Sequence, residues 1–428
     1  MNRRKLACSI IILAVFFILF NLFHIYGSKR EVMNEDNIFP EKSAENDRKG
    51  RITVATNRID ITDTVLKDYA QAFMEKHQGT EIVYEGIKEY EKVMTARVTS
   101  GEAPDIYYIL PEMTKDTYSD FFLPIDDIGL SDKNIFFYNN CMGTDGKLYA
   151  LTDTINFEGI IYNKKTFSKA GICSIPTSVE ALYAACEKLK KEGVVPMGTA
   201  YRDSWPIFPW ISFDTVQVQF NGEYKGANAY LEKDEIFDDA MQKSLGIFRE
   251  MYRKGYLGPD IMSDSWEQLK MNLANGTTAM YYAETWYPSQ VVSAGVPKED
   301  IGMFPFPEAK YIFYQAGKYW GVSKDSKNPE LAKQYLAYML TAPAEIGAVS
   351  SRLNEKIENP FAKELLSYGV NPMDSQMKDI QFEKMLGETG LNIHAFLKRY
   401  IMEADDEKAQ KEIEGWNEKW KEARSVVR

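Results

Sequence analysis

Residues able to do covalent chemistry are few and scattered along this chain. His24, His77 and His394 are the only imidazoles in 428 residues. That is little for a histidine-built metal site or a His-based triad. The patterns G-x-S-x-G, H-E-x-x-H, G-x-x-x-x-G-K-[ST] and G-x-G-x-x-G do not occur, so no nucleophile elbow, zinc helix, P-loop or dinucleotide fingerprint is offered. No metal or cofactor is expected. Acidic neighbours such as Asp126-Asp127 and Asp238-Asp239 have the chemistry for glycoside hydrolysis, which runs on two carboxylates. A run like Asp405-Asp406-Glu407, however, is ordinarily a solvated face. Cys141, Cys173 and Cys186 match no zinc spacing. Buried free thiols are the plain reading, with a Cys173–Cys186 bridge as the alternative.

Recognition is better supplied than catalysis. Aromatic residues make up 13% of the chain, more flat amphipathic surface than a core requires and well suited to a small molecule. The 62 acidic residues exceed the 51 basic ones, for a net charge of −11; a phosphate-backbone binder needs a basic face, so no nucleic-acid partner is expected. With 45% apolar and 26% charged residues the chain is an ordinary globular one, long enough for two or three domains. The composition leans away from an enzyme.

The elements that must position such recognition residues begin after an export segment. Arg3, Arg4 and Lys5 precede an uncharged stretch from Leu6 to Ser28, a basic n-region followed by an apolar h-region. At that length it can span a bilayer with the remainder of the chain outside. No convincing small-x-small cleavage site stands near Tyr26-Gly27-Ser28, so an uncleaved anchor is read first and a cleaved signal second. Cys8 precedes the continuously apolar centre, Ile10–Phe20, which argues against lipid attachment there. Residues 29–50 are polar and read as a tether.

Arg51-Ile52-Thr53-Val54-Ala55 then reads as a buried strand, and Asp63 as the N-cap of a helix carrying Val65, Leu66, Tyr69 and Phe73. A strand at Glu81–Tyr84, a helix from Tyr90 to Ser100 and a strand at Asp105–Ile109 complete a β-α-β-α-β pattern, which implies a parallel sheet. A second α/β pattern follows Gly159. Thr177-Ser178-Val179-Glu180 reads as a capping box, with Val179, Leu182, Tyr183, Cys186 and Leu189 turned inward. Asn328 caps a helix that has Pro329 at its first position. Residues from about Asn354 to Arg428 are mostly helical.

Several longer segments recur in a set order: Gly101-Glu102-Ala103-Pro104-Asp105-Ile106, Leu123-Pro124-Ile125-Asp126-Asp127, Asp145–Leu151, Ile161-Tyr162-Asn163-Lys164, Lys169-Ala170-Gly171-Ile172, Pro176-Thr177-Ser178, Asn275–Met280 with Trp286 close behind, and Ser326–Ala332. Together they resemble the extracellular solute-binding proteins of ABC importers, family 1, the sugar-binding group that includes maltose-binding protein. The resemblance covers about residues 51 to 350 well and the C-terminal helices loosely. It implies an α/β fold of two lobes around a ligand cleft, closing about a hinge of crossing strands. The implied division is 1–28 signal or anchor, 29–50 linker, 51–153 with 307–348 as lobe 1, and 154–306 with 349–428 as lobe 2. Crossings are expected near Asp153–Asn156, near Phe306 and near Val349–Leu353.

Carried over position by position, the resemblance points to Asn57 and Asp60 after the first strand, Glu112 after the third, Asn156 at the crossing, Tyr201 and Arg202 before Trp205-Pro206, and Trp286 as a sugar-stacking ring. Each has an ordinary alternative: Asn57 as a turn residue, Glu112 as a solvated loop acid, Asn156 as a hinge bond, and Trp205 or Trp286 as core. Two departures from the family pattern bear on ligand identity. Glu284 stands in Ala283-Glu284-Thr285-Trp286 where a glycine is usual, and its carboxylate could accept sugar hydroxyls or pair with an amine. Around Pro372-Met373 the late aromatic of maltodextrin binders has no counterpart, which counts against long linear glucans.

A pyranose suits such a site because its C–H face packs on Trp or Tyr while its hydroxyl rim needs fixed donors and acceptors. The implied role is therefore a monomeric capture subunit at the outer face of a bacterial membrane, handing a carbohydrate to ABC permease subunits. A sensory binding protein signalling to a membrane receptor, or a secreted glycoside-active enzyme, are the alternatives.

Overall fold

The computed structural model describes residues 50–341 and 348–427. The apolar segment Leu6–Ser28, Cys8 and the tether up to residue 49 lie outside the described residues. Among the described residues no helix is long and apolar enough to cross a membrane.

Two sheets organise the chain. Strands β1 (Gly50–Thr56), β2 (Thr80–Gly86), β3 (Ile106–Tyr108) and β4 (Ala150–Thr152) are joined by a late strand, β10 (Tyr319–Val322), in the order β2-β1-β3-β10-β4. The expected parallel pairing holds for β1 with β2 and with β3, while β10 runs antiparallel to both its neighbours. The helices Val65–Lys76 and Tyr90–Thr99 make the crossovers. The first of them is preceded by Thr64, which makes no side-chain cap, so Asp63 is not the cap that the residue type suggested.

The second sheet is built around β5 (Thr154–Asn163), whose ten residues pair antiparallel on both edges. Its start is flanked by β9 (Ile312–Ala316) and β11 (Val349–Ser350), and its far end by β7 (Thr278–Glu284) and β8 (Ile301–Phe304). β6 (Val195–Gly198) adds parallel to β7, and β12 (Pro372–Met373) parallel to β9. Successive β5 side chains face opposite sides. Ile160 and Tyr162 enter a large core shared with the helices Val179–Lys191, Asp239–Arg253, Ile380–Thr389, Ile393–Met402 and Asp406–Val427. Ile155, Phe157 and Ile161 enter a second core with Leu269, Tyr287 and Phe361. Ser178 caps Val179–Lys191 through Ala181 N, one residue later than the Thr177 start of the expected box. Pro329 opens the helix Pro329–Thr341, with the Asn328 amide donating to the Arg51 carbonyl.

The chain leaves the first sheet at Asp153, between β4 and β5. It returns between Ala316 and Tyr319, later than the expected position near Phe306. The reason is that Ile312–Ala316 still pairs with Ile155–Phe157, so the second sheet holds the chain for one more strand. The third crossing leads into β11. The segments are laced together: Gly317 N donates to the Thr154 carbonyl, Ser351 N to the Asp153 carbonyl and Ser351 Oγ to the Thr152 carbonyl. Gly317 has to be a glycine here, since a Cβ would collide with Thr154 Oγ1.

Candidate ligand cleft between the two sheets

A cavity of about 280 Å³ opens beside these crossings. Tyr319 of the first sheet and Tyr314 and Gln315 of the second line it, together with Ile109, Tyr118, Asn140, Asp214, Ser375 and Lys378. Asn140 Nδ2 donates to the Tyr319 hydroxyl at 2.7 Å. A neighbouring cavity of about 370 Å³ continues past Tyr138, Asn140, Tyr224 and Asp374. Mixed aromatic, amide and acidic linings in a cleft of this size suit a polar small molecule.

Of the lining residues, Gln315 joins a buried polar cluster that is fixed by strand register. Asn156 and Glu158 lie two apart on β5 and so share one face. Gln315 of β9 stands opposite Asn156, and Glu284 of β7 opposite Glu158. Glu284 is buried and uses both oxygens: Gln315 Nε2 donates to Oε1 at 2.9 Å, and Trp286 Nε1 donates to Oε2 at 2.6 Å. Glu158 is buried as well, accepting from Thr215 Oγ1 at 2.9 Å. Its Oε2 is sealed from solvent without a hydrogen-bond partner.

Burial, and after it the neighbouring Glu284 and Asp214, pushes the Glu158 carboxyl well above the usual carboxylate range. Burial raises Glu284 too, against the donated bonds from Trp286 and Gln315. Burial and the facing Glu284 carboxylate thus both favour the protonated form of Glu158.

Trp286 follows β7 directly and precedes the short helix Tyr287–Ser293. It is half-buried, and its ring lies 5.5 Å from Trp266 and 5.9 Å from Tyr287. Gly276, at φ +80°, ends the helix Trp266–Asn275 and turns the chain into β7. The N-G-T-T-A-M segment thus positions both tryptophans.

The other expected residues fall into three settings. Asn156 is buried on β5 opposite Gln315. Asn57, Asp60 and Glu112 stand exposed at the ends of β1 and β3. Arg58 holds Asp60 through Nε and Nη2 at 2.8 and 2.9 Å. Burial works to raise the Asp60 carboxyl, but the Arg58 guanidinium prevails and holds it below the usual range. Glu112 accepts from Thr95 Oγ1 at 2.5 Å. Tyr201 and Arg202 diverge: Arg202 is exposed beside Asp203, whereas Tyr201 is fully buried in the core of the second sheet with its hydroxyl bonded to the Lys398 carbonyl. The Tyr201 side chain therefore packs inside rather than facing the cleft.

Sequence reasoning missed Glu158, Gln315 and Trp266. The period of two from Asn156 was signal enough for Glu158. Gln315 and Trp266 carry no local mark, because only strand pairing and helix packing bring them into place. All three described cysteines are free, Cys141 and Cys186 buried and Cys173 exposed.

Comparison with known proteins agrees with this architecture. Residues 59–346 match the family described as bacterial extracellular solute-binding protein. The multiple sugar-binding protein of Streptococcus mutans serotype c is 23% identical over 319 residues, 71% of this chain and 74% of that one. Among solved structures, the manno-oligosaccharide specific solute-binding protein BlMnBP2 of Bifidobacterium animalis subsp. lactis, in complex with mannotriose, superposes with a TM-score of 0.77 at 20% identity, covering 89% of this chain and 96% of that one. The apo form of RafE from Streptococcus pneumoniae gives 0.63 at 17% identity, covering 88% and 98%. At these identities the solved structures carry the two-lobed fold, and the relatives are binding proteins by name.

Proposed function

Because the chain belongs to the family of bacterial extracellular solute-binding proteins, we propose that it captures a carbohydrate, an oligosaccharide or related sugar, and delivers it to the membrane subunits of an ABC importer. The observation that carries this reading is the bonded group of Trp286, Glu284 and Gln315, of which Gln315 lines the cavity. It sets an apolar ring face beside fixed acceptors and donors, the two surfaces a pyranose presents. A buried polar cluster also discriminates, since a wrong ligand leaves its groups unpaired. The mannotriose held by BlMnBP2 and the name of the Streptococcus mutans relative support the same ligand class.

In this reading the protein acts as a monomer. Asn57, Asp60 and Glu112 on the first lobe close over a ligand seated on Asn156, Glu284 and Trp286, with Arg202 at the rim. The segment Leu6–Ile25 holds the chain at the outer face of the membrane. Replacing Cys8 by Ser then leaves membrane association intact; a soluble mature form beginning near residue 28 would remove the anchor from the account.

The test of the ligand class is a thermal-shift screen over mono- and oligosaccharides. A true ligand at 100 times its Kd adds about 2.7 kcal/mol of stability. If no sugar shifted the transition while amino acids or peptides did, the carbohydrate reading would fall.

A further inference from the structure

The facing carboxyls Glu158 and Glu284 are each more than nine-tenths buried, yet their hydrogen-bond partners among the described residues are all uncharged. Thr215 serves Glu158, and Gln315 and Trp286 serve Glu284. Buried carboxylates without a bonded cation are costly as anions. That sets this pair apart from the ion-paired acids elsewhere on the chain.

The surroundings come from several elements. From β7, Tyr282 lies on the same face as Glu284, and its hydroxyl is near enough to temper the rise of Glu158. The short helix Phe213–Val216 brings Thr215 and also Asp214, a third carboxylate whose charge works against ionisation of Glu158. The turn of π-helix that follows, Gln217–Asn221, brings Gln219, whose Oε1 is sealed from solvent without a partner, as Glu158 Oε2 is. The Tyr282 hydroxyl reaches toward both. β9 contributes the neutral Gln315. Two cations answer these charges without bonding the pair. Lys378 stands 3.5 Å from Asp214 Oδ2, while Lys318 is turned to Glu91 and acts on Glu284 only through its charge.

The cluster is not isolated from the cavity. Asp214 and Gln315 both line it, and Gln315 bonds Glu284 directly. Water in the open cavity therefore screens the cluster from one side. A ligand that fills the cavity expels that water. Screening among Glu158, Glu284 and Asp214 then weakens, and their like charges disfavour the ionised forms more strongly. The filled protein binds protons more tightly than the open one.

We propose that capture of the sugar is coupled to uptake of a proton from solvent by the Glu158–Glu284 pair, so that the protein holds its ligand more tightly in acidic medium and releases it more readily as the medium turns alkaline. This rests on the carbohydrate reading above. The sign follows from linkage: a complex that holds more protons than the free protein loses affinity as pH rises, by at most about tenfold per pH unit for one proton. No group of the sugar has to titrate. A neutral oligosaccharide acquires a pH-dependent affinity from the protein alone.

Calorimetric titration of the full protein with mannotriose, or with the sugar giving the largest thermal shift where mannotriose does not bind, tests it. Runs at pH 5.5, 7.0 and 8.5, each in two buffers of different ionisation enthalpy, count the protons exchanged. The parent should take up a measurable fraction of one proton, and its affinity should fall by about three- to thirtyfold from the lowest pH to the highest. Glu158→Gln keeps the shape and removes the titrating group, so it should show no uptake and a nearly flat affinity. Should that variant fail to fold, Glu284→Gln removes the facing charge and should lose the uptake likewise. Binding enthalpies independent of buffer at all three pH values overturn the coupling while leaving the carbohydrate reading standing. So does proton release in place of uptake, or a folded variant that keeps the parent's uptake and slope. A parent that binds no sugar of the screen overturns both.

Discussion

The two walls of the cleft are built on opposite principles. On the first lobe, Asp60 and Glu112 stand exposed and pair locally, Asp60 with Arg58 and Glu112 with Thr95. On the second lobe, Glu158, Glu284 and Asn156 are buried, locked by strand register, and Glu284 is bonded to Gln315 and Trp286. Exposed ion pairs sit in a high dielectric and contribute little; buried groups have fixed geometry and are costly to leave unpaired. In the proposed reading, discrimination belongs to the second-lobe residues, and the first lobe supplies an adaptable cover that arrives on closure.

The sharpest contrast is between Trp286→Ala and Glu112→Ala. Removing the Trp286 ring should weaken sugar binding by about 1.5–3 kcal/mol, the worth of a buried large side chain. Glu112→Ala should change unliganded stability by no more than about 0.5 kcal/mol and cost clearly less affinity than Trp286→Ala. Titrating both variants with the same sugar decides it; a larger loss from Glu112→Ala would reverse the roles given to the two walls.

The walls should also respond to pH with opposite signs. Glu158 has a raised carboxyl in the folded state, so its contribution is complete below its unfolded pKa and is lost as pH climbs toward the folded value. Glu158→Gln escapes that loss. Its stability relative to the parent should therefore rise above about pH 4.3 by up to about 1.4 kcal/mol per pH unit until the folded group ionises. Denaturant melts between pH 4 and 8 would show this, and a difference independent of pH would contradict a proton held on the pair. Asp60, held low by Arg58, works the other way: what it contributes is present above its unfolded pKa and fades as pH falls.

The smallest effect is expected at that same rim pair. Asp60→Asn should cost under about 1 kcal/mol of stability, because the Asp60 carboxylate is exposed and the Arg58 side chain only half-buried, and the cost should shrink further in high salt. A larger, salt-insensitive loss measured by melts at two ionic strengths would mean that Asp60 belongs with the buried cluster.

Much of the scaffold was legible because local signals and tertiary fold agree. The β-α-β-α-β start, the Ser178 region, Pro329 and the strand ending just before Trp286 all follow from capping, breakers and hydrophobic spacing. The errors lie where tertiary pairing decides. Nothing in Ile312–Ala316 says that it pairs with β5, so the return crossing was placed too early. The family resemblance implies Tyr201 as a cleft residue, yet its ring is drawn into the core, with its hydroxyl donating to the Lys398 carbonyl and the Lys398 ammonium over the ring. The Glu158–Glu284 facing pair joins strands more than a hundred positions apart, and only the register of β5 against β7 reveals it.

The central claim, that the second-lobe cluster is where a carbohydrate is held, is tested most directly by the crystal structure of the protein saturated with a sugar identified in the thermal screen. The account predicts one pyranose face packed on the Trp286 indole, with its hydroxyls within hydrogen-bond distance of Glu284, Gln315 or Asn156. A sugar bound elsewhere on the chain, or one seated in the cleft without touching Trp286 and this polar cluster, would contradict it.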